Sequence, residues 1–225
     1  QNSEALYGKG IAFLHRFNYQ EAFNAFEKAL EQNPTHVESW LYKGIALTNL
    51  EQPENAITAF NHALAINPKL TEAAVRKSIE LIRLHNYEEA VKILSNSIEE
   101  QPRDVWAWCY LGIGFIALER FEEAVHAFDK TLEINRRCTR AFFERGNALL
   151  QLGKTLEAVV SYDQALEITP KDPKILYQKG IALAQRERYD DAITAFEKSL
   201  AIEPENARGF YFLGVSFAGM ERFTD

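Results

Sequence analysis

The 225-residue chain is 47% apolar and 25% charged, the balance of an ordinary foldable protein rather than a disordered tail. Its net charge of −7 excludes a broad nucleic-acid surface, which needs a basic stripe to displace counterions. No run approaches the roughly 18 consecutive apolar residues of a membrane span. Cys109 and Cys138 are too few for a disulfide framework and read as thiols of a reducing compartment, so a cytoplasmic location is expected. The chain starts at Gln1 rather than Met, and a preceding segment is expected to have been removed.

A 34-residue period organises everything that follows. In the first repeat, Leu6, Gly10 and Phe13 share one helical face, and Ala22, Phe26, Ala29 and Leu30 share another. A turn around Arg16–Gln20 separates the two. Glu21 then enters the first turn of the second helix, where the dipole favours acids, and Pro34 closes the unit. Each repeat is therefore expected to be two antiparallel helices. The small residue recurs as Gly44, Ser78, Gly112, Gly146, Gly180 and Gly214. The alanine recurs as Ala56, Ala90, Ala124, Ala158 and Ala192, and the large apolar residue as Phe60, Leu94, Phe128, Tyr162 and Phe196. A period of this size marks a stacked repeat protein.

The third repeat is the poorest match: Ala74, Ser78, Leu94 and Ser97 replace larger or more apolar residues, so its coupling to its neighbours is expected to be weak. The fourth carries Arg136-Arg137 where others have proline, and its second helix is expected to run on. A last, single helix is expected from Ala207 to about Glu221, with Phe210, Gly214, Phe217 and Phe223 in register. Its apolar residues at the end of the stack lead to the expectation that the chain is cut and continues beyond Asp225.

Trp40-Leu41-Tyr42-Lys43-Gly44 with Ala56, Phe60 and Pro68, and Trp108-Cys109-Tyr110-Leu111-Gly112 with Ala124 and Phe128, carry a specific resemblance. The pattern resembles the tetratricopeptide repeat, whose signature is W-x2-L-G-x2-Y…A-x3-F…P. It runs over residues 3–223 as repeats 3–36, 37–70, 71–104, 105–138, 139–172 and 173–206, with a partial repeat 207–225. The expected fold is all-α, a right-handed superhelical solenoid of antiparallel helix pairs. The usual leucine before the glycine is Lys9, Lys43, Lys77, Arg145 or Lys179, a flavour that resembles prokaryotic members. Their stems are expected to pack while the charged ends reach water.

No catalytic pattern is present. His15, His36, His62, His85 and His126 lie at unrelated repeat positions without metal-ligand spacing, and the glycines belong to helix packing. No cofactor, metal or enzymatic activity is expected. The resemblance implies that the first helices line a concave groove through their second, fifth, ninth, twelfth and thirteenth positions. The fifth gives Tyr7, Leu41, Val75, Cys109, Phe143, Tyr177 and Tyr211; the ninth gives Ile11, Ile45, Ile79, Ile113, Asn147, Ile181 and Val215. Leu14, Ile82, Ile116 and Leu150 add the twelfth. The family's carboxylate clamp for acidic tails is matched only by Asn147. The second position reads Glu4, Glu38, Glu72, Trp106, Arg140, Lys174 and Arg208, acidic and then basic: either a solvated charged face, or a polarity that orients a partner along the groove and sets its register more than its affinity.

The expected function is a non-enzymatic interaction scaffold holding a protein or peptide, an amphipathic helix included, in an apolar groove, with no nucleic-acid or membrane partner. Two alternatives stand beside it: head-to-tail self-assembly, and a regulatory arm of a larger enzyme whose catalytic part is absent. Within the row, Ile113, Phe143, Tyr177 and Ile181 are expected to keep part of their surface in solvent.

Overall fold

The computed structural model describes residues 2–221; Phe223, Thr224 and Asp225 lie outside the described residues. Among the described residues the regular structure is thirteen α-helices with no strand, so the fold is an all-α helical repeat. The first helices of the repeats are α1 (Ser3–His15), α3 (Val37–Asn49), α5 (Thr71–Arg83), α7 (Val105–Ala117), α9 (Thr139–Gln151), α11 (Pro173–Ala184) and α13 (Ala207–Glu221). The second helices are α2 (Tyr19–Gln32), α4 (Pro53–Ile66), α6 (Tyr87–Glu100), α8 (Phe121–Ile134), α10 (Thr155–Ile168) and α12 (Tyr189–Ile202). The chain divides after Gly114 into two compact units.

Local signals explain the boundaries. Asn2, Asp104, Asp172 and Asn206 precede first helices, and each side chain accepts a hydrogen bond from a backbone N–H of the first turn. His36 does the same through Nδ1, which accepts from Ser39 N at 3.1 Å. Leu70 and Cys138 offer no such bond, leaving α5 and α9 without a side-chain cap. First helices end in a left-handed residue: Phe17, Glu51, His85, Glu119, Gly153 and Glu187 all have φ between 57° and 71°. The next N–H reaches back to close a six-residue loop, as from Asn18 to Phe13 O and from Gln52 to Leu47 O, both at 3.0 Å. Glycine, which takes this conformation without steric cost, occupies only one of the six sites.

The expectation for the fourth repeat is corrected. Helix α8 has 14 residues, the same as α2 and α4, and does not run on. Asn135 does what proline was expected to do. Its Oδ1 accepts from Arg137 N at 3.0 Å, as Asn33 accepts from Thr35 N and Asn67 from Lys69 N. That local turn competes with further helix.

Packing within a repeat turns on the glycine and the aromatic. Ala22, Ala56, Ala90, Ala124, Ala158 and Ala192 are fully buried, as are Phe26, Phe60, Leu94, Phe128, Tyr162 and Phe196. A Cβ at Gly180 would stand 2.6 Å from Cε1 of Phe196, and one at Gly146 2.5 Å from Cε1 of Tyr162. The ring thus occupies the space a side chain would need. Where Ser78 supplies a Cβ, the facing residue is the shorter Leu94, and the Ser78 hydroxyl donates to Ala74 O at 2.8 Å.

In the basic row Lys9 stays exposed with its Nζ over the Phe13 ring, while the heads of Lys43, Lys77, Arg145 and Lys179 pair with acids instead of running out to water. Lys43 meets Glu27 at 2.9 Å, Arg145 meets Asp129 at 2.6 Å and Lys179 meets Asp163 at 2.5 Å. Each acid lies 16 residues earlier, on the second helix of the preceding repeat. Lys77 has Asn61 there and turns to Glu89 of its own repeat at 2.8 Å. Leu111 has Ser95 there, so base and acid are lost together.

Candidate partner-binding faces of the first helices

Residues at i, i+4, i+7 and i+11 share one face of a helix. In these helices that face carries positions two, six, nine and thirteen. The second position is exposed in every repeat: Glu4, Glu38, Glu72, Trp106, Arg140, Lys174 and Arg208. The ninth is half-buried at Ile11, Ile45, Ile79, Ile113, Asn147 and Ile181, and exposed at Val215. Leu14, Ile82, Ile116 and Leu150 at the twelfth are half-buried as well. The sixth position, which the sequence reading left out, is half-buried at Tyr42, Arg76, Tyr110, Glu144 and Gln178. Its spacing of four from the second position was the available signal.

The fifth position requires correction. Leu41 is 4% exposed, Val75 5% and Cys109 1%, so these three are core rather than groove. The reason is geometric. The Tyr7 ring lies 6.1 Å from Phe26 of its own repeat and 5.9 Å from Tyr42 of the next. Tyr177 repeats this with Phe196 at 5.9 Å and Phe212 at 6.0 Å. The fifth residue therefore bridges successive repeats. Short side chains stay beneath that junction, whereas Tyr7, Phe143 and Tyr177 keep part of their rings in solvent and Tyr211 is mostly exposed.

The two units differ in charge along this face. Burial raises the Tyr7 hydroxyl above its ordinary pKa, and Tyr42 and the carboxylates of Glu38, Glu4 and Glu72 push the same way. Burial also raises Tyr177, but the Arg208 cation opposes it. Asn147 is committed within its own repeat: it accepts from the Tyr162 hydroxyl at 2.9 Å and donates to Glu144 at 3.0 Å. A second apolar surface exists on α10, where Leu156 and Val160 are 55% and 56% exposed. Among the described residues no group of three or more His, Cys, Asp or Glu side chains is placed to hold a metal ion. Among the same residues no helix is long and apolar enough to cross a membrane.

A family model, the cytochrome c-type biogenesis protein H TPR domain, matches residues 21–140, more than half of the chain. Tetratricopeptide repeat models match residues 3–36, 146–186 and 173–206. The chain belongs to the tetratricopeptide repeat family. No curated protein matches the sequence. Among solved structures, one from the functional characterization of Pseudomonas aeruginosa pilF is 20% identical with a TM-score of 0.82, covering 94% of this chain and 96% of that one. YrrB, a TPR protein with an unusual peptide-binding site, is 21% identical with a TM-score of 0.70, over 83% and 96%. A chain of the APC/C hetero-tetramer Cut9-Hcn1 is 18% identical with a TM-score of 0.78. The present chain covers 96% of itself and only 43% of that protein in the match. At these identities the likeness carries the fold. TPR folds serve as protein–protein interaction scaffolds, and among the TPR positions of this chain the clamp-like Asn147 is spent on Tyr162.

Proposed function

We propose that this protein is a non-enzymatic scaffold that holds a peptide or an amphipathic helix against the exposed face of its first helices. One observation carries the reading. Isoleucine recurs at the ninth position of five of seven first helices and is half-exposed each time, beside an exposed second-position residue. Apolar anchors at a fixed register suit a partner whose own apolar residues repeat along a helix. Trp106, Phe143, Tyr177 and Tyr211 add aromatic surface, the residue type most enriched in binding hot spots. The partner-facing set is then Tyr7, Ile11, Ile45, Ile79, Trp106, Ile113, Arg140, Phe143, Lys174, Tyr177, Ile181, Arg208 and Tyr211, without Leu41, Val75, Cys109 and Asn147. The test is capture of a partner by immobilised protein, with Tyr177→Glu/Ile181→Glu as comparison and circular dichroism to verify folding. Loss of the captured partner in the variant supports the reading; undiminished capture refutes it.

Self-association is the second reading, on a separate observation. Helix α13 exposes Phe210, Tyr211, Val215 and Phe217, and a Cβ at Gly214 would meet nothing within 4 Å, unlike Gly146 and Gly180. Concentration-dependent light scattering that Phe210→Ser/Phe217→Ser removes would favour it.

A further inference from the structure

A cavity of about 530 Å³ opens on the first unit between the first helices of repeats three and four. Its wall on α7 is an aromatic shelf: the rings of Trp106 and Tyr110 stack with centroids 6.2 Å apart and planes 27° from parallel. Trp106 is 61% exposed, a large indole surface held in place but left in solvent. The opposite wall, on α5, is Val75 and Ile79 with Glu72 and Arg76 beside them. Arg76 is engaged there, because both Nε and a terminal nitrogen donate to Glu72 Oε1 at 3.0 and 2.9 Å. Asp104 completes the rim. Two carboxylates and one guanidinium leave the cavity one negative charge in excess. The exposed ridge leading to it adds Glu4 and Glu38.

We propose that this cavity receives a cationic side chain, arginine above all, of the partner peptide, its guanidinium stacked on Trp106 and facing the Glu72 and Asp104 carboxylates. The inference rests on the groove reading above and names what the partner must carry. An aromatic face attracts a cation through its ring quadrupole, and the planar guanidinium can stack and donate toward carboxylates at once. Lysine would fit the charge but not the stacking. An acidic side chain would face net negative charge, with the one nearby cation already paired. The ridge of carboxylates would speed the approach of a basic peptide and fix its register rather than supply most of its affinity. In the second unit the same ridge position is Arg140, Lys174 and Arg208, so a basic segment would be directed to the first unit alone.

The test uses the whole chain and three fluorescein-labelled amphipathic helical peptides. They share a leucine face and differ in one residue type: arginine, its neutral isostere citrulline, or glutamate. Fluorescence anisotropy should give binding of the arginine peptide that weakens with added salt, with citrulline roughly tenfold weaker and glutamate weaker still. Trp106→Ala should cost the arginine peptide roughly tenfold and the citrulline peptide clearly less, since both lose the apolar indole surface but only arginine loses the cation–π contact. Asp104→Asn, which keeps an N-cap residue while removing the charge, should weaken the arginine peptide in the same sense. Equal binding of all three peptides, unaffected by Trp106→Ala, overturns the cation site and leaves the groove reading standing. Failure of all three to bind overturns both.

Discussion

The ring of Phe196 crowds the space a Cβ on Gly180 would need: Cε1 lies 2.6 Å from where that Cβ would stand. The pair makes one steric unit, and its third-repeat counterpart, Ser78 with Leu94, shows how the unit changes: a larger residue on one helix goes with a smaller one on the other. Gly180→Ala should destabilise the protein by about 1–3 kcal/mol through overpacking. Phe196→Leu should cost about 1 kcal/mol or more by opening space. The double variant should be more stable than the two costs added together. Denaturant unfolding of the four proteins measures the coupling, and strict additivity would remove the steric account.

Asn147 and Tyr162 replace the isoleucine and phenylalanine of other repeats together, and the hydroxyl donates to the amide oxygen at 2.9 Å. Asn147→Ile should strand that buried hydroxyl and cost about 1–3 kcal/mol, whereas Asn147→Ile with Tyr162→Phe should recover most of the loss. Burial raises the Tyr162 pKa, with Glu144 adding to it. The folded state therefore disfavours the phenolate relative to the unfolded chain. The stability this contributes is intact below the unfolded tyrosine value of about 10 and declines as pH rises beyond it. Tyr162→Phe should flatten this alkaline decline, measured as the unfolding midpoint against pH.

Glu51 and Glu119 hold left-handed backbone at φ 57°, where Gly153 stands at φ 71° in its repeat. Glu51→Gly relieves the Cβ strain against a larger unfolded-state entropy, and the net should be a gain of about 0.5–1 kcal/mol. Gly153→Ala should lose about 1 kcal/mol or more. Thermal melts of the two variants shifting in the same direction would contradict this.

The third repeat should open more readily than the second. Helix α5 has no side-chain cap at Leu70, and Leu94 fills less volume than Phe60. Amide exchange should be faster across residues 71–104 than across 37–70. Uniform protection over both would defeat the expectation.

Much of the architecture was legible because packing repeats with the period. The buried alanine recurs in all six repeats, and the glycine stands against a ring 16 residues later in the first, second, fifth and sixth. What escaped were features carried by backbone conformation or by pairs of residues. The left-handed turn falls on Phe17, Glu51 and His85 as readily as on Gly153, so no residue type announced it. The stop after Ile134 came from Asn135, whose side-chain turn does the work of the missing proline. The fifth position misled because its face looks toward the next repeat, a direction set by how helices stack and not by spacing within one helix. Leu41, Val75 and Cys109 are covered for that reason.

The central claim is that partners lie on the first-helix face rather than on the other exposed apolar surface, Leu156 and Val160 of α10. Photo-crosslinking decides between them. A benzoylphenylalanine placed in turn at Ile181, Tyr211 and Val160 is irradiated with the partner peptide bound, and adducts are mapped by mass spectrometry. Adducts from Ile181 and Tyr211 with none from Val160 are the predicted result. An adduct from Val160 with silence at the other two would contradict the account.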